Sequence, residues 1–241
     1  MDDNISQENN GEKFFTEKFP EAVKKNKSLI IIVLIIFSAA IGTSYGANKT
    51  APNPVDNFIE SQTEQYENLM DIETEEKTAL GWTFFFLKNN ITATIQTIGL
   101  GTLFGIFSIF SLVINGLLIG HVVPQAGLSI TSTFSLLLPH GVFELTAYIL
   151  AATCGIKLGM GSYKSIRGEK LKPLKKVGEE IRYIIPSVLL LIVIAAVIEG
   201  ILGPYKEMIT SSLNLQIGLI TFSLVSLSIL FLWIGGKFKQ N

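Results

Sequence analysis

Residues 184–202 read IIPSVLLLIVIAAVIEGIL, a run in which Glu199 is the only charged side chain. The hydrocarbon core of a bilayer is about 30 Å thick, and a helix of about 20 apolar residues crosses it. This run has that length. Its apolar residues are continuous and do not alternate with polar ones, which predicts a transmembrane helix and excludes a strand of a membrane β-barrel.

Four other stretches are equally poor in charge, although the whole chain carries 16% charged residues beside 48% hydrophobic ones. They cover residues 28–47, 89–120, 132–156 and 213–236. We therefore predict an all-α fold, a polytopic bundle of five to six transmembrane segments. The membrane domain spans residues 28–236 and follows a polar cytoplasmic tail at residues 1–27.

The stretch at 89–120 is too long for one straight span. As a single helix it would measure about 48 Å, so it must tilt, kink or divide. Gly99, Gly101 and Gly105 offer places for a bend or a turn. One kinked helix gives five segments, whereas a helical hairpin gives six.

Basic residues predict the orientation, because loops on the cytoplasmic side carry an excess of lysine and arginine. Lysines crowd the start of the first helix, and residues 157–182 hold eight basic residues against three acidic ones. We expect both regions and both termini in the cytoplasm and the acidic segment at 48–88 outside. An even number of crossings satisfies this arrangement.

Within that outer segment, residues 55–77 carry eight acidic residues and one lysine. Phe58, Tyr66 and Leu69 recur at near-helical spacing. This pattern predicts an acidic amphipathic helix with these three side chains on its buried face. The helix either lies against the membrane domain or docks a partner.

Polar residues interrupt the apolar stretches at Asn115, at His140 with Glu144, and at Glu199. Ionisable groups in membrane segments cost free energy to insert, so their presence indicates function. His140 precedes Lys157 by 17 residues and Glu199 follows Arg182 by 17, so both lie about 25 Å of helix rise from the shared basic loop. We predict one polar cluster of all four residues, with a structural, binding, gating or catalytic role.

Motif residues beside this cluster are expected to shape the backbone. Pro139 is predicted to begin a helix, where its missing N–H costs little, and Gly141 follows the histidine. Gly116 and Gly200 follow Asn115 and Glu199.

Several functions are not expected. The chain has no phosphate-binding loop, dinucleotide fingerprint or zinc-ligand spacing. With two histidines and one cysteine, a metal site rich in those residues is not expected, and we predict no metal, no cofactor and no nucleic-acid partner. Because no nucleophile stands in a recognisable motif, we also predict that the protein is not an enzyme.

These residues carry a resemblance to the stage II sporulation protein M family of multi-pass membrane proteins, over about residues 29–235. The most specific part is Pro139-His140-Gly141 with Glu144. The other matching parts are Asn89-Asn90, Asn115-Gly116, the run from Gly155 to Gly159, and Ala195 to Glu199 with Pro204.

The resemblance implies a non-enzymatic scaffold or assembly factor in the cell membrane. In spore-forming bacteria the founding member is similar in layout and anchors envelope-remodelling partners during engulfment. The alternative is a permease-like subunit that moves a small molecule or lipid. A cavity that reaches His140 and Glu199 would favour transport, whereas a closed bundle with an exposed apolar patch would favour scaffolding.

Overall fold

The computed structural model of the chain describes residues 13–47, 78–125 and 127–236, and these residues contain helices and no strand. The all-α prediction is therefore confirmed, while the acidic segment at 55–77 lies outside the described residues. The α-helices are α1 (Phe19–Ala47), α2 (Ala79–Gly99), α3 (Ile106–Gln125), α4 (Ile130–Lys164), α5 (Lys172–Ile181), α6 (Ile185–Leu202), α7 (Lys206–Ser211) and α8 (Leu213–Ile234).

Five helical segments of the described chain are long and apolar enough to cross a membrane: Phe14–Ala47, Ile106–Gln125, Ile130–Gly168, Ile185–Ser211 and Leu213–Ile234. Their outer faces expose large apolar side chains such as Ile35, Phe110 and Phe231. Exposed apolar surface of this extent is unfavourable in water and suits lipid. The chain is a multi-pass membrane protein.

The first helix begins earlier than the sequence suggested. A π-helical turn at Phe14–Lys18 leads directly into α1 at Phe19, inside the predicted polar tail. Aromatic packing accounts for the difference, because the ring of Phe19 lies 4.6 Å from that of Trp233. Phe19 is fully buried.

The long stretch at 89–120 is divided between two helices. α2 ends at Gly99, a short 3-10 turn follows, and α3 begins at Ile106. Phe104 and Gly105 both have positive φ, 58° and 75°, and the hydroxyl of Ser108 donates to the carbonyl of Thr97 at 2.7 Å across the turn. The structure therefore has the hairpin and not the single kinked helix.

Pro139 does not begin a helix, contrary to the sequence prediction. It is buried inside α4, which runs unbroken for 35 residues through both Pro139 and Gly141. Neighbouring helices and local side chains can compensate for a proline within a membrane helix. The proline lacks the N–H that would donate to the carbonyl of Ser135, four residues earlier, and α4 continues through it while packed against α6 and α8.

The described parts of the basic regions meet at one end of the bundle, which we call the basic end. Lys25 of α1 lies 2.6 Å from Glu180 of α5, and Lys157 of α4 hydrogen-bonds to the same carboxylate. The indole N–H of Trp233 in α8 donates to the carbonyl of Phe15 at 2.9 Å. The start of α1, the end of α4, α5 and the end of α8 therefore lie together at one end of the described bundle.

Glu180 is the charged junction of that end. Its partial burial raises the pKa, but hydrogen bonds from Lys157 and Lys25 and their positive charges lower it more, so the pKa lies below its ordinary value. A lowered carboxyl pKa means that the contribution to stability is present above the unfolded pKa and is lost as pH falls through the folded one.

Candidate functional site

Two helices position the ionisable groups of the site. His140 and Glu144 lie one turn apart on α4, so their side chains share a face, and Glu199 lies near the end of α6. α4 and α6 contribute to one buried core that includes Ala147, Ala151, Val188 and Ile192. The small alanines let the two helices approach closely.

The structure brings three of the four predicted cluster residues together. Nε2 of His140 lies 3.9 Å from Oε1 of Glu199. An imidazole nitrogen of His140 and one carboxylate oxygen from each of Glu144 and Glu199 lie within 4.8 Å of one another. We call these three residues the carboxylate–histidine cluster. The side chains of His140 and Glu199 are 14% and 23% exposed, so the cluster is largely but not fully enclosed.

The hydrogen bonds described for Asn115 are with residues outside these three. Its side-chain amide donates to the hydroxyl of Tyr148 at 2.8 Å and to the carbonyl of Ser111 at 2.9 Å. The Ser111 hydroxyl also lies 2.6 Å from that of Tyr148 and 3.0 Å from that of Thr97. These contacts tie α2, α3 and α4 together and agree with an interhelical hydrogen-bonding role.

Sequence reasoning missed Tyr148, although a signal was present. Tyr148 follows Glu144 by four residues, so it continues the helical face that carries His140 and Glu144. A search along that face would have reached it.

The motif glycines differ in what surrounds them. A β-carbon at Gly116 would lie 2.7 Å from that of Ala40 on α1, and one at Gly200 would lie 2.1 Å from the hydroxyl of Thr83 on α2. Both glycines therefore permit close helix packing. Gly141 has open space at the same position, so steric packing does not require a glycine there.

A cavity of about 660 Å³ reaches the carboxylate–histidine cluster. His140, Glu199 and Lys206 form part of its wall. Most of the remaining wall is apolar and comes from α2, α3, α4 and α6, including Trp82, Phe86, Leu118, Val122, Leu136 and Leu202. This cavity could not be predicted from the sequence, because its walls come from four separate helices.

The chemistry available at the cluster is binding and proton exchange. Neither Glu144 nor Glu199 accepts a hydrogen bond from another described residue, and Nδ1 of His140 is buried without a described partner. These groups are open to a cation, a proton or a hydrogen-bonding ligand.

Comparison with known proteins identifies the family of the chain. The family model described as stage II sporulation protein M matches residues 28–204. The chain belongs to the stage II sporulation protein M family. The matched region contains the whole carboxylate–histidine cluster and Asn115, and the resemblance drawn from the sequence motifs is confirmed.

The chain is also similar to two proteins of the archaeon Methanocaldococcus jannaschii. The uncharacterized protein MJ0706 is 34% identical over 117 residues, which are 47% of this chain and 51% of that protein. The uncharacterized protein MJ0793 is 30% identical over 124 residues, 49% of this chain and 68% of that protein. The match to the first relative thus spans about half of its length. No solved structure matches the chain.

Proposed function

We propose that this member of the stage II sporulation protein M family is a permease-like protein that binds and moves an amphipathic small molecule or lipid. The observation that carries the proposal is the cavity that reaches His140 and Glu199. Its volume of about 660 Å³ lies within the range of small-molecule sites, about 300–1,000 Å³, which combine apolar walls with a few polar groups.

The position of the polar groups supports transport over a purely structural role. Ionisable side chains within membrane segments are costly and commonly line substrate pathways. His140 and Glu199 lie at the cavity wall and retain partial exposure, so a bound molecule can reach them. The apolar wall would hold the hydrophobic part of the cargo, while the cluster and Lys206 would hold its polar part.

The scaffold hypothesis rests on the family relationship. Its partner-docking element, the acidic segment at 55–77, lies outside the described residues, so recruitment of envelope-remodelling proteins stays a prediction. We also propose that the protein is not an enzyme, on the sequence argument that no nucleophile stands in a recognisable motif.

A bulky substitution in the cavity tests the permease proposal. Leu136→Trp should obstruct the cavity, whereas Leu224→Trp adds the same side chain on the exposed face of α8, where Leu224 is 57% exposed. Organic extracts of the protein, purified in mild detergent, would be compared by mass spectrometry. We expect one amphipathic compound to be enriched with the wild type and with Leu224→Trp and lost with Leu136→Trp. Equal recovery from both variants, or no enrichment with the wild type, would contradict the proposal.

We further propose that the protein resides in the cell membrane with its basic end in the cytoplasm. The support is the positive-inside tendency together with the meeting of the α1 start, α5 and the α8 end on one side. In a Cys154→Ser background, Lys170→Cys should resist an impermeant maleimide in intact cells and react after the cells are opened. Labelling in intact cells would show that the basic end faces outside and would contradict the proposed orientation.

A further inference from the structure

We propose that His140, Glu144 and Glu199 form a binding site for one divalent transition-metal ion. This site goes beyond the proposed transport function and does not depend on the identity of any cargo. It was not predicted from the sequence, where the scarcity of histidine and cysteine argued against a metal. The donors that the structure assembles are mostly carboxylates.

The donor geometry is close to that of a metal site. Each residue offers one ligand atom, an imidazole nitrogen or a carboxylate oxygen, and these atoms lie within 4.8 Å of one another. Bonds of about 2.0–2.2 Å from a tetrahedral ion to such ligands would separate neighbouring donors by about 3.4 Å. Rotation about side-chain bonds can bring the three ligand atoms to this shorter spacing. The two helices that carry them need not move.

Charge balance favours a doubly charged ion. Two carboxylates close together in a site of low dielectric repel each other when both are ionised. Among the described residues, no lysine or arginine lies within ion-pair distance of Glu144 or Glu199. A divalent cation would neutralise both carboxylates at once, with neutral His140 as the third ligand.

The ligand types and the cavity define which ion fits and how it enters. Imidazole suits Zn²⁺ and Fe²⁺, and carboxylates also suit Mn²⁺, while Mg²⁺ prefers a larger set of oxygen ligands. The usual affinity order places Zn²⁺ above Mn²⁺. Because the cavity reaches His140 and Glu199, an ion has access to the site and water can complete its coordination.

Metal titration of the full-length protein in detergent tests the site. After removal of bound metal with a chelator, Zn²⁺, Mn²⁺ and Mg²⁺ would each be titrated and followed by calorimetry. We expect one site per chain, with the affinity order Zn²⁺, Mn²⁺, Mg²⁺. Glu199→Gln should weaken the binding of Zn²⁺ and of Mn²⁺ at least tenfold. His140→Gln should weaken Zn²⁺ binding more than Mn²⁺ binding, because it replaces the nitrogen ligand.

Glu207→Gln is the matched control, since Glu207 is exposed on α7 and outside the cluster. It should bind metal as the wild type does, and the acidic segment at 55–77 is the same in every variant. Unchanged Zn²⁺ affinity in folded Glu199→Gln, or no binding by the wild type, would overturn the site. If Glu199→Gln elutes as aggregate in size exclusion, the His140→Gln comparison decides in its place. Zn²⁺ binding that survives Leu136→Trp would show that the metal site stands apart from cargo binding.

Discussion

Replacing Gly159 with alanine is expected to prevent accumulation of folded protein. A β-carbon at this position would lie 1.9 Å from the backbone nitrogen of Gly105 and 2.3 Å from the carbonyl carbon of Phe104. These are backbone atoms of the turn between α2 and α3, where both residues already have positive φ. The turn cannot yield as a flexible side chain would, so we expect a loss of about 3 kcal/mol or more in unfolding free energy.

Gly141→Ala is the matched control on the same helix. A β-carbon there meets nothing within 4 Å, and alanine favours a helix over glycine by about 1 kcal/mol. The yield of monodisperse protein in mild detergent and its melting temperature would be measured for both variants. If Gly159→Ala melts as Gly141→Ala does, the turn does not pack on α4 as described.

Glu199→Gln is expected to reduce transport strongly without loss of folded protein. The amide keeps the size of the carboxylate and can still hydrogen-bond, but it loses the negative charge that the proposed polar site offers. A charged side chain costs about 2.5–3.5 kcal/mol at the centre of a bilayer on insertion scales, so removal of the charge does not endanger insertion. We expect transport to fall at least about tenfold, the equivalent of one lost polar contact of about 1.4 kcal/mol.

Glu199→Leu separates a functional role from a structural one. Leucine cannot hydrogen-bond, so it leaves His140 without its neighbour at 3.9 Å and should lower the folded yield as well. Both variants and Glu207→Gln would be reconstituted in vesicles and assayed with the compound that co-purifies with the wild type. Transport that simply follows protein abundance across the variants would show that the cluster is structural.

Local composition determined the class of the protein. Continuous apolar runs predicted the membrane helices, because the length and polarity of each segment decide whether it can cross the hydrocarbon core. The run at 184–202 and the charge-free stretch at 213–236 correspond to α6 and α8. The lysine and arginine distribution likewise predicted that the basic regions share one end, since basic loops lie on the same side of the membrane.

Distances along helices predicted part of the candidate site. His140 and Glu199 lie at equal distances from the basic loop, and the structure joins them. Asn115 was predicted to lie in the same cluster, but its amide hydrogen-bonds to Tyr148. Residue spacing gives the depth of a side chain along a helix axis, whereas its direction around the axis depends on how the helices pack.

Only the tertiary structure decided the remaining features. The cavity needs walls from four helices, and its presence depends on the gaps that they leave. Pro139 is predicted to begin a helix when α4 is considered alone, yet the helix continues through it, because packing around α4 offsets one missing backbone bond. Apolar character belongs to each segment and can be read from the sequence, but enclosure and side-chain direction belong to the packed bundle.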